Sequence, residues 1–281
     1  MIAIIANPNA HNFSSVQLKR IVSEIGGADV FFTQRAKDGT AIANRIASRY
    51  DTIAAYGGDG IVNEIINANL GKTRLAVLPA GTTNVLAIEL FGSPSMDRGV
   101  RALKRGRSKK AYTGMINKQH FMLMAGLGFD AESVHSVSPK LKRISGKFAY
   151  FSAGVSAYLK GLLKKGCFEV ELEGHKVSAL WVIVSKIRKY AGNFTISDKV
   201  SPFVCLFDVV VCECKNRAVS LPYYNLAIFS GLHRIEPPFV RHIITKGPIV
   251  VRGDFKAQID GDEFFSDSVV ISPGKEIELI V

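Results

Sequence analysis

Three short polar segments in the first third of the chain carry the residue types that handle phosphate. Gly57-Gly58-Asp59-Gly60 follows an apolar run and leads into a helical pattern. Glycines let a backbone approach phosphate closely and adopt positive φ. The amino terminus of the following helix offers unpaired N–H groups and a positive dipole end. Asp59 suits Mg²⁺ or a water bound to it, because Mg²⁺ prefers carboxylate and phosphate oxygens. Leu78-Pro79-Ala80-Gly81-Thr82-Thr83-Asn84 repeats the logic, with Thr82, Thr83 and Asn84 as side-chain donors to phosphate or sugar. Asn7-Pro8-Asn9-Ala10 closes an earlier apolar run in the same way. Each segment alone also reads as a plain turn, and Thr83 or Asn84 would cap a helix. Three such turns at three strand ends form a constellation that a single turn does not.

A late carboxylate cluster, Asp260-Gly261-Asp262-Glu263, offers a base for an alcohol proton. Adjacent carboxylates raise one another's pKa, which suits that role. The same residues also fit an acidic Asp-Gly hairpin turn. Other nucleotide signatures fail. Gly71-Lys72-Thr73 lacks the upstream glycine of a P-loop because position 66 is Ile, and Gly126-Leu127-Gly128-Phe129-Asp130-Ala131 sits in a β-rich region without a strand-helix-strand unit. Cys167, Cys205, Cys212 and Cys214 are too few and too clustered for a disulfide framework, and the spacing of Cys212 and Cys214 reads as packing on one side of a strand.

The elements that must position these residues change character along the chain. Over residues 1–110 short apolar strands alternate with helical patterns: strands at Ile2–Ala6, Asp29–Thr33, Thr52–Tyr56 and Arg74–Leu78, helices at Ser14–Ile25, Gly39–Tyr50, Ile61–Leu70 and Val85–Phe91. That alternation predicts a parallel sheet with covered faces, which binds ligands at the carboxyl ends of its strands. The basic stretch Arg98–Lys110 reads as a junction. Residues 111–281 carry β-like runs between glycine, proline and polar turns, among them Phe121–Ala125, Phe168–Leu172, Ala179–Ser185, Cys205–Glu213, Ile249–Arg252, Val269–Ile271 and Glu276–Val281, which predicts an antiparallel sandwich or barrel. A helical pattern at about 141–165, basic and amphipathic, fits either an anionic membrane surface or ordinary packing on the sheet.

The 281-residue chain has room for two domains, and its net charge of +12 favours polyanions without choosing among nucleotides, nucleic acids and anionic lipids. No nucleic-acid-binding module is recognisable. The apolar start lacks a positive leader region and no apolar run spans a bilayer, so a cytoplasmic protein is expected.

Together these residues resemble the diacylglycerol kinase catalytic domain family, which includes sphingosine kinases and bacterial lipid kinases. The matching motifs are Asn7-Pro8, Gly57–Ile61, Pro79–Asn84 and Asp260–Asp262, with Gly128–Ala131 and the Lys142–Tyr150 stretch also similar. The resemblance implies a Rossmann-like nucleotide domain, a β-sandwich lipid domain and ATP in the cleft between them. It implies ATP and Mg²⁺ as cofactors and a membrane lipid as acceptor at the inner membrane surface, and it is compatible with a homodimer. Asn7, Pro8, Asn9, Thr33, Gly57, Gly58, Asp59, Gly60, Asn63, Gly81, Thr82 and Asn84 would line the nucleotide. Asp59 would engage the Mg²⁺–phosphate unit and Asp262 would be the base, with Glu263 beside it. Four positions depart from the family. Ile61 replaces a threonine, Asn9-Ala10 replace Ser-Gly, and Asp262 replaces a glutamate. Val204-Cys205 stand where an Asp-Gly pair is thought to hold a structural Mg²⁺. The departures keep two rivals in view: a kinase for a soluble acceptor, of the NAD kinase or phosphofructokinase type, and a lipid- or nucleotide-binding protein with weakened catalysis.

Overall fold

The computed structural model describes residues 1–128, 131, 166–190, 194–214 and 239–281. The expected helix at about 141–165, the Lys142–Tyr150 stretch and Phe129-Asp130 lie outside the described residues. The chain forms two compact units, the first from Met1–Thr113 and Gly274–Val281, the second from residues between them.

The first unit alternates strand and helix: β1 (Ile2–Ala6), α1 (Ser15–Glu24), β2 (Asp29–Phe32), α2 (Asp38–Ile46, continued by a 3₁₀ turn at Ala47–Arg49), β3 (Thr52–Gly57), α3 (Asp59–Ile66), β4 (Arg74–Pro79), α4 (Val85–Phe91) and α5 (Met96–Arg105). The strands are parallel in the order β4-β3-β1-β2, with Ala6 opposite both Phe32 and Tyr56, and Gly57 opposite Pro79. All four therefore end at one level, which gathers their loops. Ile4, Ala54, Tyr56, Ala76 and Leu78 from the strands pack with Leu18, Ile21, Val100 and Leu103 from the helices. Ser14 starts α1, its hydroxyl accepting from the Gln17 N–H at 3.2 Å. The C-terminal segment joins this sheet, with Leu279 parallel to Leu75.

Two local expectations shift. Arg98–Lys110 is a packed element as well as a basic stretch: α5 buries Gly99, Val100, Ala102 and Leu103 while Arg98, Arg101, Lys104 and Arg105 are exposed. The charge conceals an amphipathic helix, because Lys and Arg dominate its exposed face. α3 stops at Ile66 rather than Leu70, since the Asn67 side chain turns back to donate to the Asn63 carbonyl at 2.9 Å. Short amides compete in this way with the backbone hydrogen bonds that would continue a helix.

The second unit is strand-rich. Its elements are β5 (Ser108–Ile116, entering from the first unit), β6 (Gln119–Phe121), β7 (Met124–Gly128), β8 (Phe168–Leu172), β9 (His175–Ser185), β10 (Lys189–Tyr190), β11 (Phe194–Thr195), β12 (Phe207–Glu213), β13 (Val240–Thr245), β14 (Ile249–Arg252), β15 (Ala257–Ile259), β16 (Asp262–Phe264) and β17 (Ser268–Ile280, leaving to the first unit). Pairing is antiparallel: β9 with β7, β8 and β12, then β12 with β13, β8 with β14, β14 with β17, and β15 with both β7 and β16. Alternate residues such as Leu127, Val182, Val184, Val209 and Val211 enclose one apolar core. Cys167 and Cys214 are joined as a disulfide. Phe168 and Glu213 both pair with Ala179, so β9 brings the two cysteines together from 47 residues apart. Cys212 is buried and takes no part in that disulfide.

Candidate active site

The polar loops of the first unit are tied into one network. Asn7 follows β1, its N–H donating to the Tyr56 carbonyl and its side-chain oxygen accepting from the Asn9 N–H at 2.9 Å. Asn12 then reaches the loop after β4, with its N–H on the Ala80 carbonyl and its side-chain amide on the Gly81 carbonyl, both at 2.8 Å. The loop after β3 reaches the same segment through Asp59. One Asp59 carboxylate oxygen accepts from the Val85 N–H at 2.9 Å and the Thr83 hydroxyl at 3.5 Å, and the other accepts from the Leu86 N–H at 3.1 Å.

Asp59 thus caps α4 from a different loop. Asn84 sits at the helix start in the left-handed region (φ 50°), but its amide is spent on Gly81, accepting from its N–H at 2.9 Å and donating to its carbonyl at 2.8 Å. Neither Thr83 nor Asn84 makes the expected cap; the carboxylate does. Burial pushes the Asp59 pKa above the ordinary aspartate value, and the Val85 and Leu86 N–H groups and the Thr83 hydroxyl pull against that rise.

At the start of α3 the residue in the cap position is Gly58, which supplies no side-chain cap. Gly58 and Gly81 approach so closely that a Cβ on Gly81 would lie 2.5 Å from the Gly58 Cα, while a Cβ on Gly60 would meet nothing within 4 Å. The Gly58–Gly81 pair is therefore needed for the contact between loops, whereas the space above Gly60 is open. Pro8, Asn9, Gly60 and Thr82 are exposed at these strand ends, and Thr33 is buried at the end of β2, its N–H on the Ala6 carbonyl. Asn63 lies further along α3, buried, its side-chain oxygen accepting from the Asn67 amide. Ile61 is buried, and its methyl group lies against Gly57. A residue here packs beneath the loop, which accounts for an aliphatic side chain at this position.

These features fit a nucleotide phosphate at the α3 amino terminus. The fit for Mg²⁺ on Asp59 is narrower, because three donors occupy most of the roughly four lone-pair positions of a carboxylate.

The late carboxylates lie in the second unit. Asp260 (φ 52°) and Gly261 (φ 91°) form the two-residue turn between β15 and β16. The Asp260 carboxylate accepts from the Met122, Leu123 and Met124 N–H groups at 2.9, 2.9 and 3.0 Å, which fixes the turn before β7. Asp262 and Glu263 are exposed on β16. The cluster therefore divides: Asp260 is a structural anchor, and Asp262 and Glu263 are exposed residues of β16. Sequence reading missed the anchoring of Asp260 and the bridge made by Asn12. It also missed Glu64, which accepts from the Lys37 and Gly39 N–H groups and caps α2. Only the Asp-Gly turn signal pointed toward any of them.

Among known proteins, residues 1–116 match the family described as diacylglycerol kinase catalytic domain. The chain is 30% identical over 246 residues to the diacylglycerol kinase of Bacillus subtilis strain 168, covering 82% of this chain and 77% of that protein. It is 31% identical over 242 residues to a Staphylococcus aureus diacylglycerol kinase, covering 83% and 75%. In fold it is similar to a candidate diacylglycerol kinase of Bacillus anthracis (TM-score 0.79, 20% identity, 99% and 96% of the two chains). It is also similar to an NAD kinase of Archaeoglobus fulgidus solved with ATP (TM-score 0.51, 10% identity, 100% and 94%).

Proposed function

The chain belongs to the diacylglycerol kinase family, and from that premise we propose that it transfers the γ-phosphate of ATP to the hydroxyl of diacylglycerol or a closely related lipid. Its class is that of an ATP-dependent phosphotransferase with an alcohol acceptor. The observation that carries the nucleotide half is the loop network: three strand-end loops joined by Asp59 and Asn12, with a glycine, Gly58, in the cap position of α3.

In this reading ATP phosphates lie against Gly57, Gly58 and Gly60, where the α3 dipole and N–H groups stabilise negative charge. Gly81 and Asn84 hold the neighbouring loop in shape, and Thr82 offers a hydroxyl. Asn7, Pro8, Asn9 and Thr33 bound the same strand ends, and Asn63 supports α3 from within. Asp59 would be the residue to hold an Mg²⁺ ion brought with ATP, and the ion would supply positive charge that offsets the phosphates. Asp262 accepts the acceptor hydroxyl proton as phosphoryl transfer proceeds. Among the described residues no helix is long and apolar enough to cross a membrane. A lipid acceptor then requires work at a membrane surface, for which the +12 charge gives a physical basis on anionic lipid.

The test is incubation with γ-labelled ATP and a panel of diacylglycerol, monoacylglycerol, sphingosine and a water-soluble alcohol, separated by thin-layer chromatography. Labelled lipid phosphate is expected. Transfer only to the soluble alcohol would move the protein to the NAD kinase-like alternative. Calorimetric ATP binding without transfer to any acceptor would leave a binding protein.

A further inference from the structure

A lysine is buried in the second unit with no acidic side chain paired to it among the described residues. Lys186, at the end of β9, is 1% exposed. Its Nζ donates to the Val204 carbonyl at 2.6 Å and the Leu206 carbonyl at 3.1 Å, and lies 5.3 Å from the centre of the Phe207 ring. Two carbonyl oxygens and an aromatic face form a cradle for a desolvated cation. An ammonium left unpaired by a carboxylate is costly to bury, so such a residue calls for an explanation.

The position supplies one. Val204-Cys205 occupy the place where the family resemblance implies an Asp-Gly pair holding a structural Mg²⁺. Here the residues do not fit that ion. The Val204 side chain has no donor atom, and the carbonyls on either side of Cys205 already accept from Lys186. Mg²⁺ requires oxygen ligands in near-octahedral array and is commonly held through carboxylate. We propose that the Lys186 ammonium is this chain's built-in replacement for a structural divalent cation, tethering the Val204–Leu206 segment to β9 and making the second unit independent of metal. Burial draws the Lys186 pKa down to about 8, with Cys205 acting in the opposite direction, so the ammonium is still the main form at neutral pH.

The proposal concerns stability and stands apart from the kinase reading. The test is thermal unfolding of the full chain without nucleotide, in EDTA and in millimolar MgCl₂. Wild type is expected to melt at the same temperature in both. Lys186→Met, which keeps the stem and removes the charge, should melt lower by about 4 °C or more in both. Lys186→Ala with Val204→Asp, which exchanges the ammonium for a carboxylate, should gain a midpoint that rises with magnesium. A wild-type midpoint that climbs with magnesium overturns the proposal. So does a Lys186→Met midpoint at or above wild type, or a double variant indifferent to magnesium. Should the variants fail to fold, the wild-type comparison alone decides.

Discussion

Asp59→Ala separates two roles that the glycine loop could serve. A residue that acted only on the Mg²⁺–phosphate unit would be removable with no loss of stability. The structure shows a carboxylate fastening two loops, so removal should cost folding free energy as well as transfer. Its oxygens accept from the Val85 N–H at 2.9 Å and the Leu86 N–H at 3.1 Å. Hydrogen bonds to charged groups contribute about 1.5–3 kcal/mol each. Burial of the charge offsets part of that, as the raised pKa shows. A helix cap replaced by alanine costs about 0.5–2 kcal/mol, so about 2 kcal/mol is a fair net loss. At about 2–4 °C per kcal/mol for a chain of this size, the midpoint should fall by about 4–8 °C. Asp59→Asn retains one acceptor oxygen and should fall by less. The assays are thermal unfolding by circular dichroism and ATP kinetics on the same preparations, with KM for ATP rising as the loops part. If Asp59→Ala loses transfer yet melts with wild type, the loop-tie reasoning is wrong and Asp59 serves the substrate alone.

Gly81→Ala would set a methyl 2.5 Å from the Gly58 Cα, against backbone that cannot yield cheaply; a higher KM for ATP and a lower midpoint are expected, read by kinetics and calorimetry, and unchanged values would refute the close-contact role. Asp260→Ala leaves three N–H groups without their acceptor and should cost about 3 kcal/mol, or about 6–12 °C of midpoint in calorimetry. Asp262→Asn, on an exposed side chain, should melt like wild type while kcat drops by about 100-fold or more in the labelled-lipid assay; near-normal kcat would direct attention to Glu263. For Lys186 the folded pKa, about 8, lies below an unfolded value of about 10.4. Between them the unfolded state binds more protons, so this residue makes stability rise with pH across that window. Chemical denaturation of wild type and Lys186→Met through that range should show the steeper rise in wild type.

Much of the first unit was legible because its signals are local. Short apolar runs such as Ile2–Ala6, bounded by turn residues, read as strands buried on both faces, and the glycines after β3 mark a turn. Val85–Phe91 matches α4, and Phe168–Leu172 and Ile249–Arg252 match β8 and β14. Errors fell where a side chain acts on distant backbone. Nothing near Asp59 indicates that it caps α4, because the groups it satisfies are 26 and 27 residues away. The junction stretch concealed α5 because burial of Val100 and Leu103 depends on the strand beneath. Val269–Ile271 and Glu276–Val281 read as two strands but form one, β17, since pairing partners carry it through Pro273-Gly274.

Sequence alone therefore determined the residue types at the strand ends, the order of strands and helices, and the family resemblance, all of which depend on neighbours along the chain. Tertiary structure decided which of those residues hold the loops and which remain open. It divided Asp260 from Asp262, joined Cys167 to Cys214, and set Lys186 in a carbonyl cradle. Hydrogen-bond partners and burial belong to positions in space, and a buried carboxylate or ammonium acquires its role from the groups that the fold brings within about 3 Å of it.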